Sequence, residues 1–162
     1  MRAAGVNIKS GHTFIAISEA ADSSELGSAI PSLSVRLTVN SGLDDALALA
    51  DLRNRVMQAL RASKAEAVGL VATRAYSGWK YKDAYSRISA VCSVMLACTE
   101  LSLPYREIKT SEIGKTLAVP ATDVKSVNHA SLGLSVIPTY WTTGMAEAFA
   151  AAATLIATDG AK

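Results

Sequence analysis

Ligands for soft metals are scarce in this sequence: two cysteines and two histidines among 162 residues. Cys92 and Cys98 lie six positions apart in one apolar stretch, with no CxxC pair, so the spacing of a zinc cluster is absent. Two buried thiols in a reducing compartment are expected. Aromatic residues are few, 6% of the chain, and the net charge is only +2. So small a charge argues for no nucleic-acid partner by itself; only a local cluster of cations can. The N-terminus shows no secretory pattern, and the longest apolar run, beside Glu147, is too short to span a bilayer. A soluble, cytoplasmic protein with no membrane partner is expected. A phosphate-cradling loop is missing too: "SGWK" and "IGKT" are short, and "EIGKT" lacks the first glycine of GxxxxGK[ST]. No Ser-His-Asp or Cys-His arrangement follows from the spacing of His12 and His129, which read as a turn and a helix residue.

What the chain does have is apolar mass. Half of its residues are hydrophobic, enough to build one core without disulfides or metals, and 1–162 reads as a single domain. Residues 3–8 and 13–18 read as a hairpin turned by Ser10-Gly11, followed by a loop over 19–33. "SVRLTVN" (34–40) alternates apolar and polar side chains with the period of a half-buried strand. Ser41 and Asp44 have capping-box spacing, and Leu43, Leu47, Ala50, Val56 and Leu60 continue a helix to about Ala62. "AVGLVA" (67–72) is a continuous apolar run, the signature of a strand covered on both faces.

A second helix is expected from about Asp83 to Leu101, with Ile88, Val91, Met95 and Cys98 inward and Val94 and Leu101 beside them. The strand "YREIKT" follows, then helices over 111–118 and 123–133. Pro138 breaks a loop, and a last helix spans about 143–157, with Gly160 as its stop. A strand meander followed by β/α units gives an α/β fold: a mixed central sheet with helices on both faces.

That element order is the one used by the ribonuclease-H-like fold, and four strings resemble the RuvC-type Holliday junction resolvases within it. "GVNIKSGHTFIAIS" resembles their first hairpin. "VGLVATRAYSGWKYKDAYSRISAVCSVMLA" resembles their central strand, active-site loop and long helix. "LPYREIKTSEIGKTLAV" with "DVKSVNHASL" resembles their next strand and lysine-containing segment, and "GMAEAFAAAATLIA" their final alanine-rich helix. The resemblance implies cleavage of branched DNA by two magnesium ions, about 3.5–4 Å apart, held by carboxylates.

The family places one acid on the first strand, one at the end of the central strand and two on the last helix. Carried over, these positions fall on Asn7, on Thr73 (or Ala72), and on Gly144 and Glu147. Only Glu147 is an acid. The resemblance therefore implies the fold with a degenerate metal site, no cofactor, and magnesium only if the chain is an active nuclease using Glu147 and other ligands. Asn7 reads either as a former metal ligand or as an amide bonding a neighbouring loop. Asp83, Glu107 and Asp123 are the acids that could rebuild a site; each also has an ordinary reading, as a helix start, a solvated strand residue and a helix start.

"TRAYSGWKYKDAYSR" (73–87) interleaves Arg74, Lys80, Lys82 and Arg87 with Tyr76, Trp79, Tyr81 and Tyr85. Cations neutralise phosphates and aromatic faces stack on bases, so this stretch is the candidate face for branched or single-stranded nucleic acid. It reads equally as a loop whose aromatics pack on the domain, or with Trp79 as an anchor for a protein partner. Lys115 and Lys125 lie in the segment resembling the family's lysine loop. Small residues on the last helix, and Ser89, Cys92 and Ser93 on the second, offer surfaces for a homodimer. Three functions stay open: a binding module, an active magnesium nuclease, and a structural subunit of a homo-oligomer.

Overall fold

A two-residue turn sets the first hairpin. Ser10 and Gly11 both take positive φ (51° and 76°), the conformation whose twist matches two antiparallel strands. It joins β1 (Arg2–Lys9) to β2 (His12–Glu19) with Lys9 opposite His12 and Asn7 opposite Phe14. The computed structural model describes residues 1–21, 26–74 and 78–159. The expected loop over 19–33 contains two short elements, β3 (Ser28–Ala29) and a 3₁₀ turn (Pro31–Leu33). β3 pairs with one end of β2, and β4 (Val35–Thr38) with the other.

α1 (Asp45–Ser63) starts later than its capping-box spacing suggests. The Asn40 side chain accepts from the Gly42 amide at 3.1 Å and holds that segment in a turn. Asp44 is the cap instead, accepting from the Leu47 amide at 2.9 Å. The buried stripe is Ala48, Leu52, Val56 and Leu60; Val56 and Leu60 face inward as expected, while Leu43 and Leu47, before and in the first turn, are exposed. β5 (Ala67–Val71) is buried throughout.

α2 (Tyr81–Glu100) buries Ala90, Ser93, Val94, Ala97 and Cys98. Ile88, expected inward, is 56% exposed. Small side chains on that face let α2 lie close to α1, and Ser93 Oγ donates to the Leu49 carbonyl across the contact at 3.3 Å. Cys98 is buried as expected, but Cys92 is exposed.

β6 (Tyr105–Ile108) leads into α3 (Thr110–Leu117). The helix expected over 123–133 is two 3₁₀ turns, Val124–Ser126 and His129–Leu132. Asp123 makes no side-chain cap there. Asn128 starts the second turn by accepting from the Ala130 amide, and Gly133, at φ 76°, ends it. A π turn (Trp141–Met145) then delivers the chain into α4 (Ala146–Asp159), which begins three residues beyond the expected start. The expected stop, Gly160, lies outside the described residues.

Among the described residues, six strands form one mixed sheet in the order β3-β2-β1-β5-β6, with β4 also on β2. β1, β5 and β6 run parallel. Period two divides β1 between the faces. Ala4, Val6 and Ile8 join α1 and α2 in one core. Ala3 and Gly5 lie toward α4, and a Cβ built on Gly5 would stand 1.8 Å from the Ala148 carbonyl oxygen. Glycine on the strand and alanine on the helix are what let α4 rest directly on the sheet. No helix among the described residues is long and apolar enough to cross a membrane.

Candidate functional site

The carboxyl ends of β1 and β5 lie side by side, which is where parallel α/β sheets receive ligands. A cleft of about 560 Å³ opens there. Asn7 and Lys9 from β1, Val71 from β5, Trp79 and Arg87 around α2, and Glu147 on α4 line it, with the starts of α1 and α2 on the far side.

Asn7 is 2% exposed. Its Nδ2 donates to the Gly144 carbonyl at 3.1 Å and to Glu147 Oε2 at 2.9 Å. Both partners are acceptors, so the chemistry itself assigns nitrogen to this end of the amide. Lys9 Nζ donates to the same Glu147 oxygen at 3.0 Å. Lys9 sits two residues beyond Asn7 and so on the same face of β1. Glu147 is in the first turn of α4, where a carboxylate also complements the helix dipole. Each charge-assisted bond of this kind contributes about 1–3 kcal/mol, toward the lower end for the partly exposed Lys9 pair.

Of the four positions expected from the resemblance, Asn7, Gly144 and Glu147 therefore meet, Gly144 through its backbone. A Cβ added to Gly144 would stand 2.4 Å from the Phe14 ring, which is buried. Thr73 follows the end of β5, is exposed, and its Oγ1 accepts from Arg87 Nε at 3.2 Å. Arg87 also donates to the Ile8 carbonyl and carries its guanidinium 6.0 Å from the Trp79 ring centre. It thus ties α2 to β1. Arg74, Lys80 and Lys82 are exposed near the cleft's α2 side but are not among its lining residues. Lys115 and Lys125 are exposed on α3 and the first 3₁₀ turn after it, away from the lining. Tyr76 lies outside the described residues.

Sequence reading passed over Lys9. The signal was available: a lysine two positions from Asn7 on a strand shares its face. Its place next to Ser10-Gly11 made it look like part of the turn.

Magnesium needs several hard oxygen donors, preferably charged. Here Asn7 presents its amide nitrogen, Gly144 has no side chain, Thr73 is engaged by Arg87, and Glu147 already holds an ammonium. Among the described residues, no group of three or more His, Cys, Asp or Glu could hold a metal ion. Asp83 lines the cleft with Asp45, Glu107 is exposed on β6, and Asp123 accepts from Thr122. The donor set does not fit a two-magnesium centre.

No protein-family model and no curated protein matches the sequence. Solved structures do. The chain is similar to Thermus thermophilus RuvC in complex with Holliday junction substrate, with a TM-score of 0.76 and 18% identity over 98% of this chain and 95% of that one. A further structure of Thermus thermophilus RuvC gives 0.74 and 18% over 98% and 96%. The yeast mitochondrial Holliday junction resolvase Ydc2 gives 0.59 and 11% over 96% and 77%. The fold is thus the RuvC-like form of the ribonuclease-H-like fold.

Proposed function

We propose that this chain is a pseudo-nuclease: a single RuvC-like domain that binds branched or single-stranded nucleic acid without cutting it. The observation that carries the second half is the pairing of Glu147 with Lys9 and Asn7 in place of a carboxylate cluster. Support for the first half comes from the full-length likeness to a RuvC solved on a Holliday junction and from the cations around α2.

The charges of the cleft refine the reading. Lys9 and Arg87 face Asp45, Asp83 and Glu147, so phosphates are not drawn to its floor. Contact with the backbone belongs to the rim, at Arg74, Lys80 and Lys82. A base entering the cleft meets Trp79, in the manner of a stacking platform. The outward side of α2 exposes Tyr81, Tyr85, Ile88 and Leu96. Their spacing of four, three and eight puts them along one stripe, which suits a homodimer contact.

The test is an anisotropy titration of labelled four-way junction, duplex and single strand at two salt concentrations, with the sedimentation of the free protein recorded alongside. Affinity is expected to favour the junction or the single strand, to fall steeply with salt, and to belong to a dimer. Replacing Arg74, Lys80 and Lys82 together by alanine should lower the salt slope by about 2–3. Equal, salt-insensitive affinity for all three DNAs, or none, overturns the binding reading and turns attention to a protein partner.

A further inference from the structure

Lys9 has no counterpart among the positions that the resemblance supplied, yet its ammonium and the Asn7 amide converge on one oxygen of Glu147 at 3.0 and 2.9 Å. We infer that Lys9 is a built-in counter-ion: its ammonium supplies at Glu147 the positive charge that a bound divalent cation supplies in an acid cluster. It makes the start of α4 independent of metal.

Three features carry this. First, the Glu147 side chain is only 15% exposed, so its charge is costly without a partner, and among the described residues Lys9 forms its ion pair. Second, the arrangement is structural as well as electrostatic. Asn7 bonds the Gly144 carbonyl in the π turn and the Glu147 carboxylate at the first turn of α4, and Lys9 completes the tie from the same strand. Third, the neighbouring position is closed to an acid. Gly144 abuts the Phe14 ring, so no second carboxylate can be added beside Glu147 without moving a buried aromatic. An ammonium fits the charge that remains, which is one.

The inference concerns the chain's own charge balance and stands apart from nucleic-acid binding. Its test is thermal melting with manganese chloride as the probe, against sodium chloride at equal ionic strength. The wild-type midpoint is expected not to respond to manganese. Lys9→Met should lower the midpoint by about 2–4 °C, and Lys9→Arg should keep most of it.

Asn7→Asp alone should gain no manganese response, because the ammonium still holds the site. Asn7→Asp with Lys9→Met places two carboxylates together without their counter-ion and should be stabilised by manganese. If that double variant is unfolded alone, recovery of its circular dichroism on adding manganese is the same result. A manganese response in the wild type, an equal response in Asn7→Asp with and without Lys9, or an unchanged midpoint in Lys9→Met overturns the inference. Junction affinity, read separately on Lys9→Arg, distinguishes failure here from failure of the binding reading.

Discussion

Gly144 shows how a single residue can close a position to any larger side chain. It sits at φ 156° inside the π turn, and the Phe14 ring occupies the space where its side chain would begin. An acid placed there would force the Phe14 ring out of the cluster it forms with Trp141, Met145 and Phe149. The glycine at 144 and the packing of that cluster are one arrangement. Asn7 and Glu147 are likewise consistent only with each other. An aspartate at 7 would place a carboxylate against the Gly144 carbonyl and the Glu147 carboxylate, whereas the amide donates to both.

The cysteines divide in the same residue-by-residue way. Burial pushes the Cys98 thiol up to about 11, while Cys92 is exposed. In native protein, a thiol reagent at neutral pH should modify Cys92 quickly and Cys98 only on unfolding. A thiol whose folded pKa is raised binds its proton more tightly than in the unfolded chain. Cys98 therefore supports the fold fully below the ordinary thiol pKa of about 8.5, and that support is lost as pH rises toward about 11. Cys98→Ala should remove this part of the alkaline decline in melting temperature. An identical decline in the variant would show that Cys98 does not contribute to it.

At the scale of elements, the order of strands and helices was legible because each has its own period. The hairpin, the alternating strand at 34–40 and the apolar run of β5 all carry that signal. What was not legible was the inner face at the helix starts. In α1 and α2 the sheet and the partner helix select small residues, Ala48, Ala90 and Ala97, while larger ones, Leu47 and Ile88, point outward. A search for large apolar residues at helical spacing therefore finds Val56, Leu60, Val94 and Cys98 but misplaces the helix starts, at Leu43, Leu47 and Ile88. The segment at 123–133 has helical composition but breaks at Asn128 and Gly133, where local side-chain bonding and a positive φ win.

The α4–sheet contact is the element-level feature most exposed to test. Gly5→Ala places a Cβ 1.8 Å from the Ala148 carbonyl oxygen, backbone against backbone, with Gly69 under the same helix. A loss of about 3 kcal/mol or more is expected, at the upper end for overpacking, measured by urea unfolding. A loss under about 1 kcal/mol would mean that α4 does not lie on the sheet this closely.

For the whole molecule, the fold and the proposed loss of cleavage have separate grounds. The fold could be anticipated from element order and is matched over nearly the full length of RuvC. The non-acidic residues at the positions the resemblance assigns to acids, Asn7, Thr73 and Gly144, could also be read from the sequence. The Lys9–Glu147 pair could not, because it forms only when residues 138 positions apart are brought together. The proposed binding of nucleic acid by a weakly charged chain, +2 overall, rests on local cations beside a cleft whose lining includes Asp45, Asp83 and Glu147.

The most direct measurement is strand cleavage. A labelled four-way junction, held at saturating protein and shown to be bound, is incubated with magnesium and separately with manganese, and its strands are resolved under denaturing conditions. Intact strands at every metal concentration, with the junction still bound, are the expected result. Nicks that appear only with protein and metal together, and vanish in Glu147→Gln, would contradict it and show that this cleft assembles a working metal centre.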